Sequence, residues 1–170
     1  MSAAMSTSVG AIDVVRVDYA DARQAAHLVQ LLDAYARDPA GGGHPLSDFA
    51  KSHLPAQLAA RASAFSVLAY ASGEQPVGLI NCIEGFSTFA CKPLVNVHDV
   101  VVLASHRGQG VGQRMLAVVE QIARERGACK LTLEVLSGNR SAITLYEKVG
   151  FEPYQLDPAM GQACFYQRWL

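Results

Sequence analysis

The segment VVVLASHRGQGVGQRML, residues 100–116, holds the densest chemistry in the chain. Val100, Val101 and Val102 read as a strand. From it Arg107-Gly108-Gln109-Gly110-Val111-Gly112-Gln113 runs straight into a helical pattern. The first turn of a helix has unpaired N–H groups and a partial positive charge, and glycine lets an oxyanion come close to the backbone. The loop therefore reads as an anion site, with Arg107 able to add a charge-assisted contact. A tight strand-to-helix turn with no ligand would use the same glycines. Two nucleotide motifs fail here. The P-loop ends in Gly-Lys-Ser/Thr, a tripeptide that does not occur. The dinucleotide fingerprint needs Gly or Ala in the sixth place, where Gln113 stands when counting from Gly108.

A second group follows in CKLTLEVL, 129–136. Alternation puts Thr132 and Glu134 on one face, with Leu131, Leu133 and Val135 on the other. Glu134 is then either an exposed strand carboxylate or a proton acceptor. Asn139 stands before a short apolar run, where it suits an N-cap. Tyr146 lies on that run's apolar side with Ala142 and Val149, and an amphipathic ring there can pack its body and still offer its hydroxyl.

The elements that must carry these residues follow from periodicity and punctuation. Residues 12–18 read as a strand, and Asp21 with Gln24 forms a capping-box start for a helix with Leu28, Leu31, Leu32 and Tyr35 on one face. Pro39 must end it near Asp38. A glycine-rich loop spans 40–46, and Ser47 caps a further helical stretch that Pro55 interrupts or restarts. Strands 64–71 and 76–84 flank SGEQ as an antiparallel hairpin, and a looser GFSTFACKP leads to a strand at 96–103. A helix over 108–126 carries Val111, Met115, Val118, Val119 and Ile122 on one stripe, with Gly127 past its end. The strand 129–136 and helix 139–149 follow, Gly150 stopping the helix, and strands at 151–155 and 163–169 close the chain. The predicted class is α+β: a mixed, mostly antiparallel central sheet of six to seven strands flanked by about four helices.

Between a strand and a helix, Arg/Gln-x-x-Gly-x-Gly/Ala resembles the pyrophosphate loop of the GNAT superfamily of acyl-CoA-dependent N-acyltransferases. LEVLSGNRSAITLYEKVGF, 133–151, is similar to that superfamily's second signature. Many members carry Pro three residues before the loop's Arg, a turn-shaping position that is Ala104 here. The resemblance implies a GNAT-like fold, acetyl-CoA as acyl donor and no metal. It also implies direct transfer to a primary amine, on a small molecule or a peptide. The loop 107–113 would hold the pyrophosphate, and the backbone of Val100, Val101 and Val102 the acetyl carbonyl and pantetheine arm. Glu134, Asn139 and Tyr146 are spaced as in ribosomal-protein N-terminal acetyltransferases of the superfamily. That likeness implies Glu134 as general base, Asn139 as a cofactor contact and Tyr146 as general acid. Asp99, Glu84 and His98 are alternative bases. No Cys or Ser stands beside a plausible base in these motifs, so an acyl-enzyme is not implied. A homodimer, common in the superfamily, is compatible with the resemblance. A CoA-binding sensor domain that transfers nothing is the competing reading, and transfer of a longer acyl group a third.

Composition sets the remaining bounds. The 170 residues fit one domain, read as a flexible tail at 1–10 and a single domain over 11–170. Hydrophobic residues at 51% and charged residues at 17% are too apolar for disorder. Fourteen Lys and Arg against fifteen Asp and Glu give a net charge of -1, which disfavours a nucleic-acid partner. The longest apolar runs, such as Val100–Ala104, are five residues, far short of a bilayer span. No basic, apolar leader opens the chain, so the expected location is cytoplasmic. Cys82, Cys91, Cys129 and Cys164 have no metal or redox spacing and are expected as reduced thiols packing like small core hydrophobes.

Overall fold

Residues 11–72, 74–161 and 163–170 are described by a computed structural model. The expected tail at 1–10 lies outside the described residues. The chain divides into two compact units, one ending at Leu133 and the other running Glu134–Leu170.

In the first unit, β1 (Asp13–Arg16) leads to Asp21, whose carboxylate accepts from Arg23 N at 2.8 Å and Gln24 N at 3.1 Å. This cap starts α1 (Ala22–Arg37). The return arm of the capping box lands elsewhere: Gln24 Oε1 accepts from Asp18 N at 3.0 Å, because the Asp21 N–H already donates to Asp18 O. The helix ends at Asp38, ahead of Pro39, and Ser47 caps α2 (Asp48–Ala59). Pro55 neither interrupts nor restarts α2. A proline removes one N–H from the ladder, and the flanking turns carry the helix past it.

The strands β2 (Ala64–Ala71), β3 (Gln75–Ser87), β4 (Lys92–Val102) and β5 (Leu131–Leu133) complete one sheet in the order β1-β2-β3-β4-β5. Neighbours are antiparallel except β4 and β5, which are parallel. The stretch read as loose connection, 85–93, instead extends the β3–β4 hairpin to Ser87↔Lys92. Cross-strand pairing supplied the order that its mixed composition lacks. Asn81 faces Asp99 while Cys82 faces Val97, so His98 is the extra residue of a bulge in β4.

One sheet face buries Leu68, Leu79 and Val101 against Leu28 and Leu31 of α1, with Val17, Leu58 and Ala64 in the same cluster. On the other packs α3 (Val111–Glu125), burying Val111, Met115, Val119 and Ile122. Gly78 makes that contact possible: a Cβ there would stand 2.8 Å from Met115 Cε. Each large aliphatic side chain so buried contributes about 1.5–3 kcal/mol.

The second unit contains α4 (Arg140–Lys148), capped by Asn139, ended at Val149 and followed by Gly150 at φ +96°. Neither 151–155 nor 163–169 forms a strand, so the described sheet has five strands rather than six or seven. Pro153 has no N–H for a ladder, and the alternation in ACFYQRW supplies a pattern without a partner strand. Among the described residues four α-helices are present, as expected, and no helix is long and apolar enough to cross a membrane.

Of the four cysteines expected to pack in the core, only Cys82 is buried; Cys91, Cys129 and Cys164 are exposed. Burial pushes the Cys82 thiol up to about 12, leaving it almost without thiolate near neutral pH. A thiol reagent should therefore titrate the three exposed cysteines in the native protein and Cys82 only on unfolding. Prompt native reaction of Cys82 would contradict the fold.

Candidate functional site

β4 outruns its parallel partner. The β4–β5 ladder covers Val95↔Leu131 to Val97↔Leu133 and stops where His98 bulges. Leu103 N donates to Val77 O, and alternation along the antiparallel ladder then turns the polar groups of Val101 toward β3. Those of Val100 and Val102 face the opposite edge. Of the three backbone positions expected to serve a ligand, Val100 turns its N–H and C=O there and Val102 its N–H, the Val102 carbonyl accepting from Arg107 Nε. Val101 spends its own on the sheet, a distinction that follows from register.

From Val102 the chain passes through a short turn at Ala104–His106 to Arg107. Gly108 at φ +75° and Gly110 at φ +79° hold left-handed geometry, and Gly110 is the N-cap of α3 with no side-chain cap bond. The first helical backbone bond is Arg114 N to Gly110 O at 3.0 Å. The N–H groups of Val111, Gly112 and Gln113 thus point out of the helix start, where an anion is favoured. Nothing lies within 4 Å of a Cβ built at Gly108 or Gly110, so the space over the loop is open. A pyrophosphate fits this donor set.

Arg107, expected beside the anion, makes two contacts within the fold. Its Nε donates to Val102 O at 3.0 Å and its Nη2 to Asp38 Oδ2 at 3.3 Å. The guanidinium thereby braces the loop against the end of α1. Asp38 is held below the ordinary carboxylate range by the Ala40 N–H and then by Arg107. Sequence reading missed Asp38, and no local signal marks it, because 69 residues separate the pair. Gln109 Nε2 donates to Ser105 O at 3.0 Å, closing the loop on itself.

The three alternative bases lie on β3 and β4. Glu84 accepts from Arg126 Nη1 at 3.0 Å, and that guanidinium also stacks over Phe65, 4.7 Å from the ring centroid. His98 is exposed, with Nδ1 3.3 Å from Asn96 Oδ1. Asp99 stays in place on β4 and accepts from Asn81 Nδ2 at 3.0 Å.

In the second unit Glu134 is exposed and is the first residue after β5, not a member of the strand as its alternation suggested. The ladder that defines β5 ended at Leu133. Asn139 Oδ1 accepts from Ala142 N at 3.3 Å and Ser141 Oγ at 3.2 Å, which leaves its Nδ2 without a hydrogen-bond partner among the described residues. Tyr146 is buried on α4, edge-on to Phe151 with ring centroids 5.8 Å apart. Among the described residues no group of three or more His, Cys, Asp or Glu could hold a metal ion.

Residues 25–151 match the sequence model of the acetyltransferase (GNAT) family. A streptothricin acetyltransferase of Streptomyces lavendulae is 36% identical over 89 residues, 51% of this chain and 47% of that protein. A thialysine N-epsilon-acetyltransferase of Bos taurus is 34% identical over 71 residues, 42% of this chain and 41% of the relative. The chain spans less than half the length of either. The fold is shared with a ribosomal-protein-alanine N-acetyltransferase of Brucella melitensis biovar Abortus 2308, at TM-score 0.73 and 19% identity. That superposition covers 94% of this chain and 100% of the other.

Proposed function

The chain belongs to the GNAT acetyltransferase family, and we propose that it moves an acetyl group from acetyl-CoA directly to a primary amine in the cytoplasm. One observation carries the reading: an uncapped helix start behind two left-handed glycines, continuous with a strand edge open beyond Val97. The N–H groups at 108–113 would hold the pyrophosphate with Arg107 beside them, and the edge groups of Val100 with the Val102 N–H the acetyl carbonyl and pantetheine arm. Asn139 would add a contact through Nδ2. Acetyl-CoA supplies an activated thioester; the rest of the chemistry is proton management.

An aliphatic ammonium has a pKa of about 10 and must lose a proton before it can attack. Glu134 takes that proton. The Val100 N–H, fixed on the strand edge, donates to the carbonyl oxygen as negative charge builds on it. As the C–N bond forms and the C–S bond breaks, Tyr146 gives a proton to the departing thiolate and recovers one from the acylated nitrogen. The names of the two sequence relatives favour a small-molecule acceptor, and the spacing of Glu134, Asn139 and Tyr146 keeps a peptide amine in view.

The test is release of free CoA thiol from acetyl-CoA in the presence of streptothricin, thialysine or an alanine-initiated peptide. Turnover with one of them is the expected result. Tight acetyl-CoA binding with no turnover on any acceptor would favour a sensor domain instead.

A further inference from the structure

A polar row crosses the face of the sheet that packs on α1, beside the apolar row of Leu68, Leu79 and Val101. Register sets Ser66 of β2 opposite Asn81 of β3, and Asn81 opposite Asp99 of β4. These three share the face of Leu68, Leu79 and Val101. Tyr19, just after β1, closes the row's far end with its hydroxyl 2.8 Å from Ser66 Oγ. Ser66 donates to Asn81 Oδ1 at 2.6 Å, and Asn81 Nδ2 donates to Asp99 Oδ2 at 3.0 Å. With the Ser66 proton committed to Asn81, Tyr19 must be the donor to Ser66. Burial pushes its phenol above the ordinary value and keeps it protonated. Every bond in the chain therefore points one way and ends on the Asp99 carboxylate.

Burying such a row costs more than filling it with aliphatic side chains, since each polar group gives up water for a single partner. Ser66 is fully buried and Asn81 is 4% exposed, with no buried side-chain polar atom left unsatisfied among the described residues. What the row delivers is a fixed carboxylate. Asp99 has no ion pair among the described residues, and its second oxygen has no hydrogen-bond partner there and is not sealed from solvent. Arg107, the guanidinium of the neighbouring loop, is taken by Asp38. Asp99 directly precedes Val100, the start of the open strand edge. A carboxylate built into position by neutral donors, lacking a cation and flanking that edge, is a seat for a cation.

We propose that Asp99 receives the ammonium group of a cationic small-molecule acceptor, and that Tyr19, Ser66 and Asn81 are positioning residues that hold it. This deepens the amine-transfer reading and rests on it. The experiment is calorimetric titration of streptothricin, thialysine and spermidine into the full chain, for wild type, Asp99→Asn and Ser66→Ala. Acetyl-CoA is titrated alongside as a control on folding. At least one cation should bind wild type, and Asp99→Asn should weaken it about tenfold or more. Ser66→Ala keeps the charge and breaks the row, and should weaken it by about threefold. Acetyl-CoA affinity should stay within about twofold in both variants. Binding of none of the three cations to wild type would overturn the proposal, as would unchanged amine affinity in Asp99→Asn. If Asp99→Asn does not fold, unchanged affinity in Ser66→Ala overturns it. The transfer reading is separable: Asp99-dependent binding without turnover defeats transfer and leaves the seat, and turnover with Asp99-independent binding does the reverse.

Discussion

Glu134→Gln should lower kcat for acetyl transfer by about 10²-fold or more while acetyl-CoA affinity stays near wild type, if this carboxylate takes the acceptor's proton. The amide is nearly isosteric with the carboxylate but cannot accept that proton. At neutral pH only a small fraction of an aliphatic amine is free base, so the variant must wait for solvent to deprotonate it. Raising the pH supplies free amine, and the gap between variant and wild type should narrow as it rises. Glu134 is exposed, so its replacement should not disturb the core. Tyr146→Phe, run alongside, should cost about tenfold or more by withholding the proton from the thiolate. A Glu134→Gln enzyme within about threefold of wild type at neutral pH would remove Glu134 from the chemistry.

The second large effect falls on the donor. Gly110 sits at φ +79° as the N-cap of α3, and a β-branched residue there is strongly disfavoured in left-handed geometry. Gly110→Val either distorts the helix start or places its methyl groups in the open space over the N–H groups of Val111 and Gly112. Both outcomes remove the anion site, and acetyl-CoA affinity should fall by about 30-fold or more. Gly110→Asn separates the two causes. Asparagine tolerates left-handed backbone, so any loss it keeps reflects bulk at the site rather than strain. Wild-type acetyl-CoA affinity in Gly110→Val would mean that the donor does not use this loop.

The interactions that could be read in advance act within a turn or two of chain. Asp21, Ser47 and Asn139 cap their helices because a side chain reaches N–H groups only two or three residues on. The same short reach makes the glycine loop legible: Gly108 and Gly110 need left-handed backbone, and the helix must begin directly behind them. The polar interruptions in the strands AFSVLAYA and PVGLINCIE were also visible, and Ser66 and Asn81 could have been flagged as misfits in a core.

What only tertiary structure decided concerns partners far apart in sequence. Alternation in ACFYQRW is as regular as in many strands, but a strand needs a ladder, and no local pattern supplies one. The bulge at His98 shifts the register of β4, and register decides that Val100 and Val102 face the open edge while Val101 is bonded into the sheet. Ion pairing joins Arg107 to Asp38 and Glu84 to Arg126, each across a long stretch of chain. By itself, then, the sequence determined the helix starts, the glycine loop and the family, since their signals lie in contiguous residues. The tertiary structure decided the strand count, the direction in which each backbone group points and which charges remain without a partner. Those depend on which distant residue arrives opposite, and hydrogen bonds and ion pairs form only across that final distance.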